Sequence, residues 1–281
     1  MTHEPPRQPA PMTAAAPPVF TASMPEYYDT YLGPSKFDTV GAELVKRLPP
    51  RPAGDVLELA CGTGLVTRRL REKLDPSLRL VATDISKPML DYARGKYTAV
   101  DGIEWREADA MKLPFGDAEF GLVACALGAM FMPDKPAFYR EVRRVLKPRG
   151  TFLFSVWDRL EENLQDLIAT EVIAGLFPGE KDVTFLTPFT MHDMGKVRSD
   201  LEEAGFRDVH AENVRLTLDH VSARTIAVGQ MRGTPRGLLL EKKGFSLDEV
   251  ADKVTDALAR AGGADPFVGR GSIFIVTAAR A

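Results

Sequence analysis

Three carboxylates and a pair of glycines stand at intervals that chemistry can use. Glu58 lies inside Val56-Leu57-Glu58-Leu59-Ala60, an apolar run closed by Cys61-Gly62-Thr63-Gly64. Glycines at a strand-to-helix junction let the backbone approach a ligand closely, and the helix N-terminus offers free amides. The same pair also occurs as a plain turn. A dinucleotide-binding loop reads G-x-G-x-x-G and seats a pyrophosphate. Here Thr67 stands where the third glycine or alanine belongs, and Glu58 puts a carboxylate beside the loop. That charge repels a pyrophosphate and suits a cationic amino group.

Asp84 closes the next apolar run, Leu80-Val81-Ala82-Thr83, about twenty positions after the glycines. An acidic residue there can accept hydrogen bonds from both hydroxyls of a ribose, although it can also cap the helix that follows. Asp109 lies just past a third run, in Glu107-Ala108-Asp109-Ala110. Its carboxylate can accept from the exocyclic amine of an adenine while the Ala110 amide donates to the ring. Ile85 and Met89 can sandwich such a base. An isolated loop aspartate would carry no such meaning; in register with the other two motifs it does.

These residues need a frame that brings strand ends together. Strand-like runs at Val56–Ala60, Leu80–Thr83, Ile103–Ala108, Phe120–Ala126 and Thr151–Trp157 alternate with helical stretches, among them Thr39–Leu48, Pro88–Arg94 and Asp134–Leu146. Lys147-Pro148-Arg149-Gly150 reads as a turn. Such alternation predicts an α/β fold, a doubly wound, mostly parallel sheet covered on both faces. Further strands at Val209–Leu218 and Ser272–Ala278 bring the count to seven, and Ser246 opens a helix with a capping box. Residues 158–205 break the rhythm with helical apolar spacing and are expected to form an inserted helical cap. The expected organisation is a disordered Pro/Ala-rich tail over 1–20, a lid helix and ligand-binding core over 21–157, the cap over 158–205, and a C-terminal part over 206–281 that completes the sheet.

Glu58-x-Ala-Cys-Gly-Thr-Gly, Thr-Asp84-Ile-Ser-x-x-Met-Leu, Ala-Asp109-Ala-x-x-Leu-Pro-Phe and Arg-Val-Leu-Lys-Pro-x-Gly150 follow one another in order. Together they resemble the class I S-adenosylmethionine-dependent methyltransferases with a Rossmann-like sheet, near the ubiquinone/menaquinone-biosynthesis C-methyltransferases (methyltransferase type 11). The resemblance covers roughly residues 40–157 and implies S-adenosyl-L-methionine as cofactor. It places Glu58 and the backbone of Ala60, Gly62, Thr63 and Gly64 around the methionine part, Asp84 on the ribose, and Asp109 with Ala110 on the adenine. It puts the carbonyl of Ala126 or Leu127 on the ammonium. Tyr27, Tyr28 or Tyr31 would close over the site, and Tyr31 is the expected lid. The motifs do not specify the acceptor, since this group methylates carbon, oxygen and nitrogen.

Composition narrows the rest. Thirty-six Lys and Arg against thirty-nine Asp and Glu give a net charge of −3, which offers no global attraction for nucleic acid or anionic membranes. Two cysteines, Cys61 and Cys125, form neither a disulfide framework nor a metal pair, and fit a reducing cytoplasmic setting. No apolar run reaches transmembrane length. There is no Asp/Asn-Pro-Pro-Tyr run for amino methylation of bases and no Pro-Cys nucleophile. The expected partner is a small-molecule acceptor (a phenol, quinol, amine or activated carbon) met by a monomer or homodimer with no bound metal. An RNA or protein acceptor, and a non-catalytic cofactor-binding protein, are the alternatives. His192 is the candidate base, ahead of His210 and His220. Acceptor choice is expected to reside in residues 158–200 and the aromatic cluster Phe20, Tyr27, Tyr28, Tyr31 and Phe37, unless 158–200 is instead a dimer surface.

Overall fold

A computed structural model describes residues 24–98 and 101–281. The expected tail, and Phe20 of the aromatic cluster, lie outside the described residues. Strands β1 (Val56–Leu59), β2 (Leu80–Asp84), β3 (Ile103–Glu107), β4 (Phe120–Ala126), β5 (Leu146–Trp157), β6 (Phe206–Leu218) and β7 (Gly269–Arg280) form one sheet in the order β3-β2-β1-β4-β5-β7-β6. Pairings among the first five are parallel, and β7 runs antiparallel to both β5 and β6. The sheet is therefore mixed, with one reversed strand.

Helices α1 (Met24–Tyr27) and α2 (Asp38–Val45) flank a π-helix, Tyr28–Phe37; α3 (Leu65–Lys73), α4 (Lys87–Lys96) and α5 (Lys135–Val145) cross over between the parallel strands. The strands at the centre are apolar along their length because both faces are covered: all residues of β1 and β2 are buried. In α5, Phe138, Tyr139, Val142 and Val145 turn to the sheet and Asp134 caps the first turn, accepting from the Ala137 amide at 2.9 Å.

The Lys147–Gly150 turn is built into β5. Leu146 pairs with Phe120 and Thr151 with Leu122, so the intervening residues bulge from the ladder, with Arg149 at φ 63°. Beyond β5 come α6 (Leu164–Leu176), α7 (Met194–Glu203), α8 (Ala223–Arg232), α9 (Pro235–Lys242) and α10 (Leu247–Gly262). Ala169 and Ile173 of α6 join Ile226, Met231, Leu240, Val250 and Val254 in an apolar cluster separate from the core around the sheet. This helical layer thus draws on chain both before and after β6. The sequence does not announce helices α8 and α9: Gly229 lies inside α8, Gly233 caps its end, and Pro235 opens α9 only two residues later. No described helix is long and apolar enough to cross a membrane.

Candidate functional site

The strand order reverses at β1, between β2 and β4, and a crevice opens there at the carboxyl ends. Registers bring the three acidic positions to this edge: Leu59 lies beside Thr83, and Asp84 beside Glu107. The Thr83 hydroxyl donates to the Glu58 carbonyl at 2.8 Å, and the Ala108 amide to the Asp84 carbonyl at 3.0 Å, so the loops leave from fixed positions. Two residues that are not glycine, Ala60 and Leu127, take φ 53° at the ends of β1 and β4. Left-handed backbone on both sides of a crevice is where strain is held at functional sites.

Between these ends is a cavity of about 220 Å³. Ala60, Gly62 and Asp84 form its floor with Ala126 and Leu127; Ile85, Met89, Asp109 and Ala110 form one wall, and Phe131 and Tyr28 another. Ile85 is 53% exposed although apolar, which leaves its face available to a planar ligand. A larger cleft of about 760 Å³ lies elsewhere, along Arg68, Arg69, Glu72 and Lys96, but has neither the glycine loop nor the acidic strand ends.

Asp84 ties two loops. Its Oδ2 accepts from the Gly62 amide and its Oδ1 from the Ser86 amide, both at 2.8 Å. Burial pushes its carboxyl up, opposed by the amides of Ser86, Gly62 and Ile85. A carboxylate has about four lone-pair sites, so acceptor capacity remains for a ligand. Asp109 Oδ1 accepts from the Met111 amide at 2.8 Å, which fixes the turn that presents Ala110.

Glu58 is 1% exposed, and its Oε2 meets no hydrogen-bond partner. It lines a smaller space with Ala60, Cys61, Thr63 and Leu127, beside the larger cavity. Burial pushes its carboxyl up to about 8; the Thr67 hydroxyl opposes this and the Asp84 carboxylate adds to it. The Thr63 hydroxyl is likewise buried without a partner. With Thr67 Oγ1, three buried polar atoms around the glycine loop are thus left without a hydrogen-bond partner.

Gly64 has a structural role. It sits at φ 80° as the N-cap of α3, and a Cβ there would stand 2.8 Å from the Trp105 ring and 3.0 Å from the Tyr97 ring. Tyr97 donates its hydroxyl to the Gly64 carbonyl at 2.7 Å. Gly64→Ala should therefore lower stability by about 2–4 kcal/mol, as strain and crowding coincide. Thermal melting checks this; an unchanged midpoint would mean that the rings move aside freely.

The aromatic lid is placed differently from expectation. Pro34 lacks an amide, so the first helix departs from α geometry, and Asp38 donates to the Gly33 carbonyl across a wider turn. On this pitch Tyr28 lines the crevice, and Leu32 and Lys36 line a second cavity beside it that Tyr28 shares. Tyr31 instead stacks on Tyr27 at 5.8 Å and lies against Gly229 of α8, so of these tyrosines Tyr28, not Tyr31, lines the crevice. Tyr28 stacks on Phe37 at 4.5 Å. His192 is exposed, with Nδ1 2.8 Å from the Phe189 carbonyl, and lines neither this cavity nor the one beside it. His210 and His220 are also exposed. Among the described residues, no three His, Cys, Asp or Glu side chains converge as metal ligands.

Residues 57–154 match the model of a methyltransferase domain family. A demethylmenaquinone methyltransferase of Lactiplantibacillus plantarum is 31% identical over 168 residues, which are 55% of this chain and 71% of that protein. The chain belongs to the class I S-adenosylmethionine-dependent methyltransferase family. The demethylmenaquinone methyltransferase of Lactococcus lactis is 36% identical over 111 residues, 39% of this chain, so the match spans 44% of that relative's length. Among solved structures, phosphoethanolamine N-methyltransferase 2 of Haemonchus contortus, in complex with S-adenosyl-L-methionine, superposes with a TM-score of 0.58 over 92% of this chain and 57% of that one, at 16% identity. That likeness concerns the fold. The methyltransferase domain match ends at residue 154, so the helical layer with α6 and α8–α10 lies beyond it.

Proposed function

We propose that this protein transfers a methyl group from S-adenosyl-L-methionine to a small-molecule acceptor. The observation that carries the reading is Glu58, a buried carboxyl with an unpartnered oxygen beside an open glycine loop. An ammonium would draw the buried Glu58 carboxyl into its charged form and complete the site, whereas a phosphate would hold it protonated and offer it no counter-charge. Asp84 would take the ribose hydroxyls, Asp109 and Ala110 the adenine edge, and Ile85 and Met89 its faces. The backbone of Ala60, Gly62, Thr63 and Gly64, with the carbonyl of Ala126 or Leu127, would surround the methionine part.

The cofactor supplies an electrophilic methyl on sulfonium. The chain's own contribution is position and exclusion of solvent. Tyr28 and Phe131 stand where they can close over the reacting carbon. Residues 158–205 would serve as the cap over the acceptor, with α8 and α9 as a second part of the same cover.

Calorimetric titration with S-adenosylhomocysteine tests the first half, and methyl-labelled cofactor incubated with a cell extract tests the second. Label should appear in species that pass an ultrafiltration membrane. Label held back on RNA or protein would sink the small-molecule reading. A proton should be released on binding as well. Glu58, with its pKa raised to about 8, is mostly protonated at pH 7 and must ionise against an ammonium. Titrations at pH 7 in buffers of different ionisation enthalpy should show close to one proton released, with Glu58→Gln abolishing the release. In the free protein the same shift runs against stability. Between its unfolded value near 4.5 and about 8, only the folded state holds this proton, so stability falls as pH rises through that window.

A further inference from the structure

A second cavity, of about 90 Å³, adjoins the cofactor cavity and shares Tyr28, Leu127 and Phe131 with it. Four further aromatic side chains, Phe37, Trp157, Phe185 and Phe189, line it beside aliphatic and polar residues such as Leu32, Pro188 and Gln230, and three ionisable side chains line it as well. Lys36, Asp166 and Arg236 are all buried, at 8%, 6% and 4% exposure. They come from the π-helix, α6 and α9, far apart in the chain.

The charges do not balance. Lys36 pairs with Asp166 Oδ1. Arg236 donates to Gln230 Oε1 at 2.7 Å, Thr170 Oγ1 at 3.1 Å and the Thr184 carbonyl at 2.7 Å, all of them neutral. Its Nε has no partner. Two basic side chains thus share one carboxylate, and it is Lys36 rather than Arg236 that pairs with it. Burial pulls the pKa of Arg236 down to about 10 and lowers that of Lys36, with Asp166 opposing the shift in both, so Arg236 remains charged at neutral pH. A buried guanidinium held only by neutral acceptors is an incomplete ion pair, and guanidinium geometry favours a carboxylate. Phe185, at φ 50° and stacked on Phe131 at 6.2 Å, closes the cavity in a strained conformation of the kind found at ligand clamps.

We infer that the acceptor is a small aromatic acid whose carboxylate pairs with Arg236, while its ring lies among the aromatic side chains. The accepting atom then lies at the border formed by Tyr28, Leu127 and Phe131, where the two cavities meet. This rests on the methyl-transfer reading and names its substrate class. Asp166 Oδ2 is also unpartnered and could attract an amine, but Lys36 already neutralises that carboxylate.

The test is titration calorimetry on protein saturated with S-adenosylhomocysteine, using 4-hydroxybenzoate, 4-hydroxybenzamide and tyramine as matched probes. The acid should bind about tenfold or more tightly than the amide. Arg236→Gln should erase that preference and leave S-adenosylhomocysteine affinity unchanged. If that variant does not fold, Arg236→Lys carries the test, weakening the acid severalfold and the amide hardly at all. An acid that binds no better than its amide would overturn the inference. So would a preference for tyramine that Asp166→Asn removes. Retained S-adenosylhomocysteine binding with either result sinks this inference alone, whereas loss of that binding in the wild type sinks the parent reading with it.

Discussion

Gly62→Val is expected to weaken S-adenosylhomocysteine binding by about a thousandfold, which is roughly 4 kcal/mol, while the sheet stays folded. Gly62 holds φ 56°, and an added Cβ would meet nothing nearer than the Tyr28 ring at 3.8 Å. The protein alone therefore has room for a side chain, and that room is cavity. A β-branched residue would occupy it and would also strain the left-handed backbone, at about 1–3 kcal/mol. Gly62→Ala separates the two effects, since it keeps most of the strain and fills little of the space. Calorimetry, with circular dichroism and melting as controls, reads both variants. Normal affinity in a folded Gly62→Val protein would reduce the loop to a turn and remove the main support for cofactor binding here.

The contrast between Gly62 and Gly64 shows how far the sequence could be read. Both glycines belong to one motif, and the motif located the crevice. It could not show that Gly62 faces open space while Gly64 is pressed between Trp105 and Tyr97, because those rings arrive from β3 and the end of α4. The core between residues 38 and 157 was legible for a physical reason. Buried parallel strands leave unbroken apolar runs, and helices such as α5 leave a periodic apolar face.

Where the pitch or the pairing is unusual, that legibility ends. Tyr28 and Tyr31 look alike in the sequence, and the wider turn of the π-helix decides that Tyr28 lines the crevice. Lys36 and Asp166 meet across 130 positions, and Arg236 joins them from a short helix, α9, that contains Gly237. Charged residues of this kind read as surface until the fold buries them. Of residues 158–200, Asp166, Phe185, Pro188 and Phe189 line the second cavity, while Gln230 and Arg236, which line it too, lie beyond that span.

Asp84→Ala is expected to weaken cofactor binding by about a hundredfold to ten-thousandfold, since two hydrogen bonds to a charged acceptor, each worth roughly 1.5–3 kcal/mol, are lost together. The local geometry makes the loss larger than a ribose contact alone. The Gly62 and Ser86 amides would both lose their acceptor, and the loop that shapes the floor would lose its tie to β2. Asp84→Asn distinguishes these contributions. It keeps one carbonyl oxygen for an amide but turns an NH2 toward the other donor, so one tie fails and the charge is gone. Its affinity should fall between wild type and Asp84→Ala. Equal affinity for Asp84→Asn and wild type, with both folded, would show that charge at this strand end contributes nothing to binding. Equal losses in Asp84→Asn and Asp84→Ala would place the charge itself, rather than the loop, at the centre of ribose recognition.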